Sequence, residues 1–353
     1  MQRLLVLVLG LAVPIAGRHS LAPSSSHDSI DALEGRHGFL QGCGSYLTRS
    51  NLRFRYAASW ASRPTHPVGV VALTRVLAGR PYGVAVARNG TTYVALIGTS
   101  SLLRGDLRSA DFTAAVNVGS TPPHVVINPA GTRAYATLQN GRGLAVVDVA
   151  ANALLATIPL TSDGFNLAIT PSGERVYATT AAGTLYVVDA AGYAVLGTLD
   201  VGRAANGLAF GPDECTLYVT SRDAGTVTAI STVSNTITRT YYVGGSPQRI
   251  AVAPNGSELY VANEQSGLDV VDLESGEVTS VSFGTAAYGL GLTPDGEQLY
   301  VLLPAAGEVR ILDRTTLATR RTLFVGGTPR NVTFDSRGKT ALVTTEEAVV
   351  FIQ

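Results

Sequence analysis

Short runs of alternating apolar and polar residues, each of strand length, recur along most of the chain and are separated by turn residues. The stretch Glu258 to Val278, ELYVANEQSGLDVVDLESGEV, contains two such runs, and similar stretches stand upstream at Thr216 to Ile237 and Arg175 to Val195. The repeating region lacks the 3.6-residue periodicity of an amphipathic helix. The pattern therefore predicts an all-β protein built from a repeated unit.

The turn between the first and second runs of each unit sets the length of the repeat. Successive turns lie 41, 42, 41, 42, 40 and 42 residues apart, measured between Gly90, Gly131, Gly173, Glu214, Gly256, Gly296 and Gly338. Each unit holds four runs, and the Asn-Gly, Asp-Gly and Ser-Gly pairs between them are typical of β-hairpins. Four short antiparallel strands at this period predict the blades of a β-propeller.

The two ends of the repeating region share one blade. Six full units are followed by a last unit, 326–353, that has only three strands, while GVVALTRVLAG at 69–79 has the form of an isolated fourth strand. Pairing of an N-terminal strand at about 69–77 with the last unit would close the ring and remove an open sheet edge. We therefore predict a seven-bladed β-propeller of four-stranded antiparallel blades over residues 66–353.

A tyrosine recurs at the second strand of most units. This strand contains YVTS at Tyr218 to Ser221 and YVAN at Tyr260 to Asn263, with YATL, YATT, YVAL and YVLL at equivalent places. These repeats resemble the YVTN-type β-propeller repeat family of exported and surface proteins. The resemblance implies the architecture and an extracytoplasmic location, but functions across such propellers range widely, so it does not select one.

We interpret the residues that recur from blade to blade as scaffold. The tyrosines are expected to pack between neighbouring sheets with the hydroxyl bound to backbone. Short carboxylates that end the third strands are expected to accept backbone N–H bonds in the turns that follow, and they are Asp148, Asp189, Asp272 and Asp313. Neither set is predicted to be catalytic.

The first 65 residues do not follow the repeat. Residues 1–17, MQRLLVLVLGLAVPIAG, place one arginine ahead of a short apolar run that ends in small residues, which is typical of a secretory signal peptide, the alternative being a buried N-terminal helix. Residues 18–65 indicate a flexible extension that links, docks on the ring or contacts an anionic surface. We expect a periplasmic or secreted monomer without a further membrane span.

Composition narrows the partners. The formal net charge is zero, and Lys339 is the only lysine among 26 basic residues, so nucleic acid is not an expected partner. Cys43 and Cys215 are the only cysteines. In an exported protein they could form one disulfide or remain unpaired thiols, and they do not provide a zinc site.

Function is expected where the blades differ from one another. Residues at the start of each first strand should enter the central channel from one face, and these predicted channel-mouth residues are Tyr82, His124, Phe165, Asn166, Asn206, Gln248, Arg249, Tyr288, Arg330 and Asn331. Arg249 and Arg330 could hold a carboxylate or another anion through forked hydrogen bonds, while the aromatic rings offer flat surfaces. The alternative is a channel with polar walls only because water fills it.

The sequence favours a binding or scaffold module over an enzyme. We expect a small anionic ligand or an envelope protein on the loop-rich channel face, with no catalytic residue and no cofactor. The alternative is a lactonase- or lyase-like propeller enzyme with a metal at the channel mouth. Calcium is its candidate ion, and the candidate ligands, which lie in separate loops without a calcium-loop motif, are Asp223, Glu264 and Glu346. His124 is the only histidine of the repeating region apart from His66 at its very start, so a pair of histidines within the blades is not expected.

Overall fold

The computed structural model describes residues 69–353, which belong to one compact unit. The predicted signal peptide (1–17), the predicted extension (18–65) and Cys43 lie outside the described residues. Cys215 is disulfide-bonded. Within 69–353, no helix is long and apolar enough to cross a membrane.

Seven sheets of four antiparallel strands make up the described chain, and their strands are numbered β1 to β28 in chain order. Blade 1 contains β2 (Pro81–Val86), β3 (Thr91–Leu96), β4 (Ser101–Asp106) and β5 (Asp111–Asn117). Blade 2 contains β6 (Val125–Ile127), β7 (Arg133–Leu138), β8 (Gly143–Asp148) and β9 (Ala153–Pro159). Blade 3 contains β10 (Gly164–Ile169), β11 (Arg175–Thr180), β12 (Thr184–Asp189) and β13 (Val195–Asp200).

The second half of the ring repeats this order. Blade 4 contains β14 (Ala205–Phe210), β15 (Thr216–Ser221), β16 (Thr226–Ser231) and β17 (Thr236–Tyr242). Blade 5 contains β18 (Pro247–Val252), β19 (Glu258–Asn263), β20 (Gly267–Asp272) and β21 (Val278–Val281). Blade 6 contains β22 (Gly289–Leu292), β23 (Gln298–Leu303), β24 (Glu308–Asp313) and β25 (Thr319–Phe324), with a short 3-10 helix at Pro304–Ala306. Blade 7 contains β26 (Asn331–Phe334), β27 (Ala341–Thr344), β28 (Ala348–Ile352) and β1 (Val71–Val76).

The ring is closed by the first and last strands of the described chain. Strand β1 pairs antiparallel with β28, with Val76 opposite Ala348. Beyond the strands, Val70 and Gln353 exchange two backbone hydrogen bonds of 2.8 and 2.9 Å. This pairing confirms the predicted seven-bladed fold and its closure by a strand at about 69–77.

The recurring tyrosines are buried between adjacent sheets. Five of them are at most 1% exposed: Tyr93, Tyr135, Tyr177, Tyr260 and Tyr300. Tyr135 donates to the backbone oxygen of Ala190 in the next blade at 2.8 Å. Tyr93 and Tyr177 donate instead to side-chain oxygens of asparagines in turns of the next blade, at 2.7 and 3.1 Å. Tyr260 donates to the carboxylate of Glu258, and the hydroxyl of Tyr300 has no partner among the described residues. The expected backbone partner was therefore wrong for these four tyrosines and is confirmed for Tyr135.

The aspartates at the ends of third strands act as predicted. Asp313 accepts the N–H groups of Thr315 and Thr316 at 2.9 and 2.8 Å. Asp272 does the same in its own turn, and hydrogen bonds from Ser275 are the main cause of its lowered pKa. These carboxylates stabilise turns.

The innermost strands fall into two groups. Strands β2, β10, β14 and β18 have six residues and contain a register shift against the second strand. Strands β6, β22 and β26 have three or four residues and pair without a shift inside the strand. Each shift is a bulge in which two residues oppose one. In β10, for example, 165 and 166 lie between the paired residues Gly164 and Leu167.

Each of the four bulges receives a hydrogen bond from the preceding blade. Its donor is a second-strand threonine that is fully buried, and its acceptor is a backbone oxygen of the bulge. The four pairs are Thr137 to Phe165 (3.1 Å), Thr179 to Asn206 (3.1 Å), Thr220 to Gln248 (2.8 Å) and Thr344 to Tyr82. We call these four blade junctions the threonine seams. At the other three junctions, the second-strand position of this threonine is occupied by residues without a hydroxyl, which are Ala95, Ala262 and Leu302.

Candidate ligand site at the channel mouth

The bulges position most of the predicted channel-mouth residues. Six of the ten occupy the two-residue bulges: Tyr82, Phe165, Asn166, Asn206, Gln248 and Arg249. The remaining four stand where the short inner strands begin: His124, Tyr288, Arg330 and Asn331. Since bulge residues are released from the regular ladder, their side chains can be re-aimed toward the channel.

A cavity of about 210 Å³ lies among these residues. Its walls are formed by Tyr82, Pro123, His124, Gln139, Phe165, Ala204, Asn206, Arg222, Gln248 and Tyr288. The structure thus brings together six of the predicted residues. Asn166, Arg249, Arg330 and Asn331 are not part of this wall. Pro123 and Ala204 were missed, because small apolar residues before an inner strand give no chemical signal in the sequence.

Two tyrosines that are 206 residues apart in the sequence meet in the cavity wall. The hydroxyls of Tyr82 and Tyr288 are hydrogen-bonded to each other, and their rings are perpendicular with centroids 6.5 Å apart. The ring of His124 lies edge-on to Tyr82 at 5.4 Å. Burial, reinforced by Tyr288, raises the pKa of Tyr82 far above its ordinary value, so this phenol stays protonated.

His124 and Arg249 form a buried contact beside the cavity. They are 4% and 7% exposed, and the Nη2 group of Arg249 donates to the Nε2 atom of His124. Burial and the charge of Arg249 lower the pKa of His124 well below its usual value, so the imidazole is a neutral acceptor. Within the described residues, no carboxylate lies within 4.0 Å of the Arg249 guanidinium, and its Nε atom has no hydrogen-bond partner.

Gln248 presents a second donor without a partner. Its side chain is 1% exposed and lines the cavity. The amide of Asn206 donates to its Oε1 atom, which fixes the orientation of the glutamine amide. Its Nε2 group finds no partner in the described part of the chain. A buried donor in this state costs about 1–3 kcal/mol until an acceptor arrives.

Arg330 differs from Arg249 because its charge is balanced. Its guanidinium lies over the ring of Tyr288 at 5.1 Å. Its Nη2 atom is 3.6 Å from the carboxylate of Glu346, which is also 3.7 Å from Arg80. The two arginines predicted to act together are therefore in different electrostatic states.

The three predicted metal-ligand candidates each face an arginine. Asp223 lies 3.8 Å from Arg203, Glu264 lies 4.0 Å from Arg222, and Glu346 lies between two arginines. Over residues 69–353, no three or more histidine, cysteine, aspartate or glutamate side chains are grouped so that they could hold a metal ion.

Comparisons with known proteins identify the architecture. No family model matches the chain, and no curated protein matches it. Among solved structures, the chain is similar to hydrazine synthase from Kuenenia stuttgartiensis, with a TM-score of 0.70 and 16% sequence identity over 82% of this chain and 99% of that chain. At this identity the likeness shows the fold alone. The chain is a seven-bladed β-propeller.

Proposed function

We propose that this protein is an exported, non-catalytic β-propeller that binds a small anionic ligand at the mouth of its central channel. The observation that carries the proposal is the buried guanidinium of Arg249, which has no carboxylate partner within the described residues. A buried charge is costly unless it is paired, and the neutral imidazole of His124 does not pair it. The guanidinium lies against His124 of the cavity wall, so an anion in the adjoining cavity would supply the missing charge.

The neighbouring amide supports the same ligand. Gln248 directly precedes Arg249 in the bulge of β18, and the bond from Asn206 leaves its Nε2 donor free. Donors held in place before the ligand arrives lose little conformational entropy on binding. The site is thus prepared for a ligand that brings acceptors and negative charge.

Export belongs to the same proposal. The apolar run of residues 1–17 and the YVTN-type repeats are its support, and both are features of the sequence. An envelope protein that docks on the channel face is the other partner compatible with a rigid disc of loops.

A lactonase- or lyase-like enzyme with a metal at the channel mouth is less well supported. Calcium takes six to eight oxygen ligands, most often from several carboxylates and carbonyls. Glu346 is engaged by Arg80 and Arg330, and Glu264 faces Arg222. These arginines compete with a cation for the carboxylates that would hold it.

A thermal-shift titration of the mature protein tests the proposal. Acetate, benzoate, inorganic phosphate and calcium would be added to the wild type and to Arg249→Met. A ligand at a hundred times its dissociation constant stabilises by about 2.7 kcal/mol. We expect an anion to raise the melting temperature of the wild type and to lose this effect in Arg249→Met.

The matched control is Arg310→Met. Arg310 is also partly buried, but it lies on β24 with the carboxylate of Glu308 at 3.6 Å, so its charge is balanced. The anion effect should survive in this variant. An effect of calcium alone, unchanged by Arg249→Met, would contradict the proposal and favour the enzyme.

A further inference from the structure

We infer that the ligand is a small carboxylate attached to a flat, unsaturated body, such as an aromatic acid, and not a phosphate. This inference rests on the proposed function of the same site. It concerns three properties of the site: the donors without partners, the aromatic rings in the cavity wall and the volume of the cavity.

The donors match a carboxylate. Two of the buried donors without partners belong to consecutive residues of one bulge: Gln248 Nε2, which lines the cavity, and Arg249 Nε, whose guanidinium contacts His124 of the cavity wall. Two N–H donors on neighbouring residues suit the two oxygens of one planar carboxylate. A phosphate presents more oxygens in a tetrahedral arrangement, and the arginine that lines the mouth, Arg222, already faces Glu264.

Part of the wall matches a flat unsaturated body. Phe165, Tyr82 and Tyr288 supply three aromatic rings to one small cavity, whose other walls carry polar side chains such as Gln139 and Asn206. Tyr82 is perpendicular to Tyr288, an edge-to-face arrangement that aromatic groups prefer and that a further ring can extend.

The volume is enough for one flat ring. The cavity of about 210 Å³ opens at the channel mouth. One ring with a carboxylate fits within this space, and a larger ligand would extend out of the mouth. The part of the ligand that enters the cavity is therefore a monocyclic or similarly compact unsaturated acid.

Calorimetric titration of the mature wild-type protein with four probes tests the inference. Benzoate is the flat acid, cyclohexanecarboxylate has the same number of carbon atoms without the flat ring, acetate has the carboxylate alone, and inorganic phosphate is the tetrahedral anion. We expect benzoate to bind at least tenfold more tightly than each of the others. The same titrations in Phe165→Leu should reduce the preference for benzoate over cyclohexanecarboxylate, and Phe112→Leu, on the outermost strand of blade 1, should leave it unchanged.

The outcomes separate this inference from the proposed function. If acetate or cyclohexanecarboxylate binds as tightly as benzoate and Arg249→Met abolishes binding, the flat-body inference is wrong and the anion site stands. If phosphate binds best, the carboxylate class is wrong. If none of the four binds, or if benzoate binds equally well to Arg249→Met, the site assignment itself fails.

Discussion

The four threonine seams and the other three blade junctions hold the channel mouth in different ways. At a threonine seam, a buried hydroxyl bonds the backbone of the next blade at its bulge, as Thr220 does to Gln248. At the remaining junctions the incoming residues are fixed through side chains: Tyr288 through Tyr82, His124 through Arg249, and Arg330 through Glu346. Part of the site is therefore built into the backbone, and part depends on contacts that a ligand can reorganise.

Replacing a seam threonine with valine should give the largest effect. The hydroxyl of Thr220 accepts the N–H of Gly207 at 2.7 Å and donates to the oxygen of Gln248 at 2.8 Å. Valine has the same shape but leaves both buried groups without a partner, so Thr220→Val should lower the free energy of unfolding by roughly 2–4 kcal/mol. Equilibrium urea unfolding measures this, and a loss below about 1 kcal/mol would show that the seam does not hold the bulge.

At a junction without a threonine, valine should be the more stable residue and threonine the less stable one, which is the reverse of the order expected at position 220. Ala262 is fully buried, and the strand that follows its blade, β22, has no bulge to accept a bond. Ala262→Thr should therefore be less stable than Ala262→Val by about 1–2 kcal/mol, because the added hydroxyl has no partner. If threonine is the more stable of the two, the distinction between the junctions is lost.

Acid should weaken the junction that contains His124. The folded pKa of His124 is lowered by burial and by Arg249, so below about pH 6.5 the unfolded chain binds a proton that the folded chain does not. The stability contributed by the neutral imidazole is complete above that pH and is lost as the pH falls, at up to about 1.4 kcal/mol per pH unit. The measurement compares the melting temperatures of wild type and His124→Gln between about pH 5 and 7.5. The other four histidines are present in both proteins, so their contribution cancels in the comparison. Parallel curves would contradict the prediction.

The smallest effect concerns the tyrosine hydroxyls. Tyr135 reaches across a threonine seam to Ala190, whereas the buried hydroxyl of Tyr300, at a junction without the threonine, has no partner in the described residues. Tyr135→Phe should cost about 1 kcal/mol, and Tyr300→Phe should cost nothing or stabilise slightly. Urea unfolding of the two variants provides its own internal control, since both changes remove one oxygen from the same position of a blade.

The sequence predicted the blades well because the fold repeats its signals. Turn glycines such as Gly131 and Gly256 return at a nearly constant spacing and adopt positive φ values of 69° in both cases. The incomplete last unit and the isolated strand before Pro81 predicted the closure between β1 and β28. The threonine seams were also visible in outline, as the third letter of YAT, YVT and LVT, but a repeated threonine looks like any strand residue until its acceptor is known.

The site was predicted as a set of residues and not as a geometry. Arg249 and His124 are 125 residues apart in the sequence, and no local pattern indicates that the ring brings them into contact. The sequence also could not predict that Arg330 has a carboxylate partner whereas Arg249 has none among the described residues, because this depends on which arginine the loop of Glu346 approaches. The bulges could not be predicted because a bulge is a shift in the pairing of two strands, and many residue types can occupy it.

The pairing of β1 with β28 also constrains the order of events during synthesis. Strand β1 is made before every other described strand, but its partner is made last. At about 5–20 residues per second, the chain between them takes roughly 10–60 seconds to emerge. Throughout that interval the residues of β1 lack the strand they pair with in the ring, so their backbone groups are open to pairing with another chain until the final blade is made.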